Sequence, residues 1–268
     1  MKKNTRISPD LPVWAGYRDN LQALDRATVP PAGALTHLLP PETVNQAGLP
    51  IRFVSAAELN VRDYEKHIYQ TGEVSTREQS WHDFFNALAW CRFPKLKAAM
   101  NARHYGELDA AEPGRRGQLR DALTLLDESG VIVSGTEPGI LEAIASKDWH
   151  KAFVIQRENW AQGIRVTVCG HAILEKFLDP YKSVTAHALL LRTPDLLGIE
   201  ALDDWLAGAV LNNRILESTA SLSPLPLMGI PGWWQAGAQD AAFYGDLDVF
   251  RPDSGRRPPA PVHKLARE

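Results

Sequence analysis

Several features that would assign a class of protein are scarce in this sequence. It contains two cysteines, Cys91 and Cys169, with no paired spacing. This excludes a cysteine-only zinc site within one chain and favours a reducing compartment. No apolar run approaches the ~20 residues needed to span a bilayer, and the start of the chain has no apolar stretch typical of a secretory signal. We therefore expect a cytoplasmic protein with no membrane partner.

The sequence also has little net charge and lacks the common nucleotide motifs. The formal net charge is -3, so the chain lacks the excess of basic residues that usually accompanies binding to a phosphate backbone, and nucleic acid is not an expected partner. There is no phosphate-binding glycine loop, no dinucleotide fingerprint and no Gly-x-Ser-x-Gly motif. Nucleotide-driven and serine-hydrolase functions have no support, and the partner remains unidentified, with a small molecule or another protein as the two options.

What is present is typical of a globular protein, with 44% apolar and 23% charged residues. Helical patterns dominate, and the few strand patterns follow them in irregular order. This predicts an α+β fold, a mainly helical single domain with a small sheet. We expect an N-terminal arm at 1–24, a globular domain at 25–252 and a flexible, unfolded tail at 253–268.

Periodicity and turn residues predict the elements that carry the polar residues. Segment 183–192 fits either a strand or a helix. Polar turns are expected at 71–80 and 128–130. Strands are predicted at 49–56, 131–134 and 164–170, and helices at 57–70, at 81–92, from Pro94 onward, up to about Asp127, and at 148–162, 171–179 and 200–218.

The helix predicted at 81–92, WHDFFNALAWCR, has two faces, and we expect other parts of the protein to shield both from solvent. One arc is apolar and consists of Trp81, Phe84, Phe85, Leu88 and Cys91. The opposite arc holds His82, Asp83, Asn86 and Trp90. Because a solvated face does not ordinarily carry a tryptophan, we expect this second face to be covered or to line a cleft. Its polar groups then form either a structural network or a functional site.

The adjacent pair His82 and Asp83 resembles the doublet of HD-type phosphohydrolases, in which both residues bind metal. The similarity is confined to the doublet. Further ligands on this hypothesis are His67, His104, Asp121 and Asp127.

Two further stretches carry residues of the ligand type. In LLDESG, Asp127 and Glu128 lie where a helix gives way to a strand, and carboxylates with histidines there favour zinc, iron or manganese. In CGHAILEK, His171 and Glu175 stand at i, i+4, a spacing that suits two ligands of one metal. The structural alternatives are a helix end with a glycine turn and a helical His–Glu pair at the margin of the core.

These stretches lead to one functional hypothesis, a metal-assisted hydrolase or lyase with a divalent metal as the cofactor. Its site residues fall into three groups. The catalytic residues are His82, Asp83, Glu128 and His171. The metal ligands are His82, Asp83, His171 and Glu175. The substrate-binding residues are Asn86, Lys176, Lys182 and His187.

Two alternatives use the same residues. In one, they form a polar pocket of a non-enzymatic protein that binds a small anion or a protein partner. In the other, they form a buried structural network. A separation of more than about 12 Å between His82 and His171 would exclude a shared metal site, because zinc ligands lie about 2 Å from the metal.

Three segments resemble a known family. They are STREQSWHDFFNALAW; ALTLLDESGVIV with CGHAILEKFLDPYKSVTAHALLL; and LPLMGIPGWW followed by AFYGDLDVFRP. Together they are similar to a family of bacterial proteins called domain of unknown function 3025, over about residues 25–252. The resemblance implies a single-domain bacterial protein, and it assigns no catalytic residues.

Overall fold

The computed structural model describes residues 7–22, 24–25, 27–110 and 117–265. The helices are α1 (Arg18–Gln22), α2 (Ala32–Thr36), α3 (Tyr64–Thr71), α4 (Trp81–Arg92), α5 (Pro94–Ala110), α6 (Gln118–Ser129), α7 (Pro138–Ala145), α8 (Asn159–Gly163), α9 (His171–Lys176), α10 (Ile199–Leu211) and α11 (Ala241–Tyr244). The strands are β1 (Arg52–Ser55), β2 (Glu73–Thr76), β3 (Gly130–Gly135), β4 (Ile164–Val168), β5 (Thr185–Arg192), β6 (Ser223–Pro226) and β7 (Val262–Lys264). This confirms the predicted α+β class, and none of the helices in the described ranges combines the length and apolar character needed to cross a membrane.

The main sheet is mixed and centres on β3 and β5, which run parallel. β4 pairs antiparallel with the free side of β3. On the far side of β5, β6 pairs antiparallel with its first half and β7 parallel with its last three residues. A second sheet consists of the parallel pair β1 and β2.

Both faces of the main sheet are covered, which explains why all six residues of β3 are buried. Alternation along the strands sends Val131 and Val133 into one apolar cluster, together with Phe84 and Phe85 of α4. Ile132 enters the other cluster, which gathers side chains from α5, α6 and α10. The sheet is therefore a central layer between helices.

The structure departs from the predicted elements at several points. The predicted turn at 71–80 contains β2, whose short pattern has only Val74 as an apolar signal. No turn separates α6 from β3, because α6 continues to Ser129 and the strand begins at Gly130. The helix predicted at 148–162 is a π-helical turn at Lys151–Ile155 followed by α8. The undecided segment 183–192 contains a strand, β5.

Both ends of the chain contribute to the described fold. Trp14, Tyr17 and Leu21 are buried in the core, and the Tyr17 hydroxyl donates to the Val168 carbonyl oxygen at 2.7 Å. Residues predicted to be unfolded at 253–268 include β7, which is held by pairing with β5. Residues 1–6 and 23 of the predicted arm and 266–268 of the predicted tail lie outside the described residues, and the arm and tail boundaries remain predictions.

Candidate metal centre

The start of α4 determines where His82 and Asp83 lie. The Ser80 hydroxyl accepts a hydrogen bond from the Asp83 backbone N–H at 3.2 Å and so caps the helix. The second face of α4 is covered as expected: Asn86 is 7% and Trp90 1% exposed. His82, in the first turn of the helix, keeps 32% of its side chain exposed. This face therefore leads from the interior to an open cleft.

A close backbone crossing brings the end of α6 beside the start of α9. The N–H of Gly170 donates to the Gly130 carbonyl oxygen at 2.8 Å. A Cβ on Gly170 would lie 2.3 Å from the Gly130 nitrogen and 2.7 Å from the Glu128 carbonyl oxygen. Because no side chain fits there, glycine is needed for this approach, which sets Glu128 against His171.

His82, Glu128 and His171 form a compact cluster. The Nε2 atoms of His82 and His171 are 3.1 Å apart, and Glu128 Oε2 lies 3.5 Å from His171 Nε2. One potential ligand atom from each of the three residues lies within 4.8 Å of the others. The two rings meet edge to face, with centroids 4.5 Å apart. The histidines are thus far closer than the separation of about 12 Å that would exclude a shared metal.

Each histidine has a carboxylate next to its other ring nitrogen. His82 Nδ1 lies 3.1 Å from Glu175 Oε2. His171 Nδ1 lies 3.8 Å from Asp127 Oδ2, and it is buried without a hydrogen-bond partner among the described residues. A carboxylate at the distal nitrogen is the usual arrangement around histidines that bind metals, because it fixes the tautomer and orients the ring.

A buried lysine supports the carboxylate behind His171. Lys97 Nζ donates to Asp127 Oδ1 at 2.5 Å and to Asn86 Oδ1 at 2.8 Å, and it lies 5.6 Å from the centroid of the Trp90 ring. Burial alone would raise the pKa of Asp127, but the charge and hydrogen bond of Lys97, together with His171 and His104, outweigh burial and lower this pKa. Asp127 is therefore ionised at neutral pH.

Burial also sets the charge of the cluster. It lowers the pKa of His171 to about 4, although the Asp127 carboxylate acts in the opposite direction. His171 is therefore neutral near pH 7, the form in which imidazole binds metal. Burial raises the pKa of Glu128, and the nearby His82 partly offsets this.

The cluster opens into a cleft with a cavity volume of about 380 Å³. Arg77 is the only lysine or arginine among the described residues that line it. The lining residues are Ala56, Tyr64, Glu65, Ser75, Arg77, His82, Asp83, Asn86, His104, Thr124, Asp127, Glu128 and His171.

Two of the predicted metal ligands point elsewhere. Asp83 Oδ1 accepts from Arg77 Nη2 at 2.7 Å, and its Oδ2 accepts from the Arg77 backbone N–H at 2.7 Å and from Nε at 3.0 Å. Burial would raise the pKa of Asp83, but these hydrogen bonds outweigh burial and lower it. Glu175 contacts His82 Nδ1, the ring nitrogen facing away from His171. Among the described residues, the three-ligand group has Glu128 where the sequence predicted Asp83 and Glu175.

The predicted substrate-binding residues separate in the structure. Asn86 lines the cleft and donates to the Tyr64 hydroxyl at 2.9 Å. Lys182 bonds Asp246 at 2.6 Å, and His187 Nδ1 lies 2.9 Å from the Ser129 hydroxyl. These two residues and Lys176 are outside the set of described residues that line the cleft.

The HD-type ligand set is only partly assembled. His104 and Asp127 line the cleft, whereas His67 Nε2 lies 3.3 Å from Glu73 on β2. The sequence patterns did not identify three residues of the site. Glu65 and Arg77 line the cleft, and Lys97 contacts Asp127. Each is a charged residue on a polar segment, and only the packing of other elements distinguishes it from a solvated one.

The fold and the cluster define a mainly helical α+β protein with a histidine–carboxylate site at a helix–strand crossing. The chain belongs to the family described as protein of unknown function (DUF3025), whose model matches residues 51–254. This range includes His82, Glu128 and His171. The family resemblance of the three sequence segments is thereby confirmed.

The chain is also similar to part of a much longer protein. It is 30% identical over 125 residues to a glutamyl-tRNA(Gln) amidotransferase subunit from Cyanothece sp.. This segment is 46% of the present chain and 24% of that protein, so the similarity spans about a quarter of the curated relative. No solved structure matches the chain significantly.

Proposed function

We propose that the protein is a metal-dependent hydrolase in which His82, His171 and Glu128 bind one divalent metal. The donor set of two imidazoles and one carboxylate favours zinc, iron or manganese. Three protein ligands leave a coordination position for water, as in catalytic zinc sites. A metal in this position would lower the pKa of that water and supply hydroxide for attack on a substrate.

The observation that carries the proposal is the arrangement of lone pairs. Glu175 only accepts hydrogen bonds when ionised, so His82 donates through Nδ1 and its Nε2 has a free lone pair in the neutral ring. The Asp127 carboxylate, 3.8 Å from His171 Nδ1, favours a proton on that nitrogen by its charge, without a hydrogen bond. Two bare Nε2 atoms then face each other at 3.1 Å, with a carboxylate oxygen beside them. Two lone pairs and a carboxylate oxygen that face one another favour a cation between them.

The spacing fits a metal as that cation. Two nitrogen ligands 2.0–2.1 Å from zinc in tetrahedral geometry are about 3.3 Å apart, close to the 3.1 Å between the two Nε2 atoms. Three further residues would support the ligands without contacting the metal. Glu175 and Asp127 would orient the two rings, and Lys97 would hold Asp127 in place.

A second candidate function is a non-enzymatic binding protein with a polar pocket. The same 3.1 Å contact favours it, because one proton shared between the Nε2 atoms also satisfies both lone pairs. In that case the cleft would take a polar ligand directly, with Asn86 and Arg77 on its wall.

Metal analysis of the purified protein separates the two functions. We expect close to one zinc or manganese per chain after loading and dialysis, and we expect His82→Ala, His171→Ala and Glu128→Gln each to lose most of it. His37→Ala is the matched control, because His37 is exposed at the end of α2. Circular dichroism would verify that each variant is folded.

The outcomes are distinct. Near-stoichiometric metal that depends on all three residues supports the metal site and justifies a screen of ester, amide and phosphoester substrates. If no metal is retained, or if the His37 variant loses as much as the others, the hydrolase proposal fails and the binding-protein function becomes the better explanation.

A further inference from the structure

Glu65 is a carboxylate of the cleft outside the three-ligand group. It lies in the first turn of α3 and lines the same cavity as His82, Glu128 and His171. The sequence patterns gave no reason to select it, because α3 is polar on most of its surface.

The orientation of Glu65 is fixed by a neighbouring helix. The Asn101 side-chain NH2 group donates to Glu65 Oε2 at 2.7 Å and to the Glu65 backbone carbonyl oxygen at 2.8 Å. Asn101 is 3% exposed and belongs to α5, which packs against α3. These hydrogen bonds hold the Glu65 carboxylate in the wall of the cavity that it shares with the three ligand residues.

From this geometry we propose that Glu65 is the proton acceptor for the water bound at the metal, an inference that rests on the proposed function. In the hydrolysis of an ester or amide, a water proton passes to the Glu65 carboxylate while the oxygen bonds to the carbonyl carbon. The bond from that carbon to the leaving oxygen or nitrogen then breaks, and the leaving atom takes the proton from Glu65. The net change is the addition of water across that bond.

The surroundings of Glu65 suit a proton acceptor. Burial raises its pKa to about 7, and the hydrogen bond from Asn101 only partly offsets this. A group with this pKa exchanges protons readily near neutral pH. The charged or titratable residues around it are Asp63, Tyr64, Lys97, His104 and Asp127.

Cobalt-loaded protein tests this role without a known substrate. The visible spectrum of bound Co²⁺ reports the ionisation of its water, so it is recorded from about pH 5 to about pH 9. We expect that two coupled ionisations are required to fit the titration curve of the wild type. One ionisation should fit the curve of Glu65→Gln, and its midpoint should be shifted by about one pH unit or more because a neighbouring charge is lost. Glu142→Gln, an exposed carboxylate on α7, is the matched control.

A second variant keeps the test valid if Glu65→Gln does not fold. Asn101→Ala removes a hydrogen bond that lowers the pKa of Glu65, so the first ionisation should move to higher pH. Superimposable titrations of the wild type and these variants, with cobalt fully bound, would overturn the role of Glu65 and leave the metal site standing. If cobalt does not bind through His82 and His171, both proposals fail.

Discussion

Each histidine of the cluster has a carboxylate beside its Nδ1 atom, but the two histidines differ strongly in their exposure to solvent. His171 is 5% exposed, and the charges behind it, Asp127 and Lys97, are 20% and 7% exposed. His82 is 32% exposed, and its carboxylate Glu175 is 44% exposed. The buried half has a geometry fixed by packing, and its charges depend on each other. The exposed half is hydrated. Substitutions there should therefore change the unfolding free energy little, although they should still change the affinity for the metal.

The largest expected effect is the loss of the buried ammonium. Lys97→Met keeps an unbranched apolar chain but leaves Asp127 ionised and unpaired in the interior. Breaking a buried ion pair in this way costs about 3–5 kcal/mol of unfolding free energy. Urea denaturation measures this cost.

Lys95→Met on the same helix is the control. Lys95 pairs with Asp204, and both side chains are largely exposed, so a change of about 1 kcal/mol or less is expected. Similar costs for the two variants would remove the contrast between the buried and exposed charges.

A smaller effect is expected on the exposed side, and it should appear in metal affinity. Glu175→Ala removes the acceptor of the His82 Nδ1 proton and should weaken metal binding by about 10- to 100-fold. Glu175→Gln keeps an acceptor oxygen and should lie at the lower end of this range. Because Glu175 is 44% exposed, we expect the unfolding free energy of the metal-free protein to change by about 0.5 kcal/mol or less.

Isothermal titration calorimetry with zinc measures the first quantity and urea denaturation of the metal-free protein the second. Unchanged affinity in both Glu175 variants would show that Glu175 does not orient a metal ligand, and the carboxylate support would then be confined to the buried half.

Local patterns predicted much of the site, but not how its elements meet. The wheel of α4 correctly indicated a covered second face, since that follows from one helix alone. The i, i+4 spacing of His171 and Glu175 was interpreted as two ligands of one metal, whereas Glu175 lies behind His82 of another helix. That pairing depends on the packing of α9 against α4, which brings together residues 93 positions apart in the sequence. For the same reason, no local pattern distinguished Lys97 or Glu65 from surface charges.

The smallest expected effect concerns Asp83, which the sequence groups with the metal ligands and the structure pairs with Arg77. Asp83→Asn should leave metal binding unchanged and lower the unfolding free energy by about 1 kcal/mol or less at pH 7. Arg77 holds the folded-state pKa of Asp83 below its usual value. The contribution of the ionised Asp83 to the unfolding free energy is therefore complete above the unfolded-state pKa of about 3.9. It is lost as the pH falls through the folded-state pKa.

Urea denaturation at about pH 7 and about pH 3 should thus show a difference from the wild type that shrinks at the lower pH. Asp10→Asn, at an exposed position, is the control and should show no such trend. If Asp83→Asn instead loses metal as His82→Ala does, Asp83 must leave Arg77 and become a ligand when metal binds. The exposed half of the cluster would then rearrange on loading, while the buried half, fixed by Lys97 and Asp127, would remain as it is.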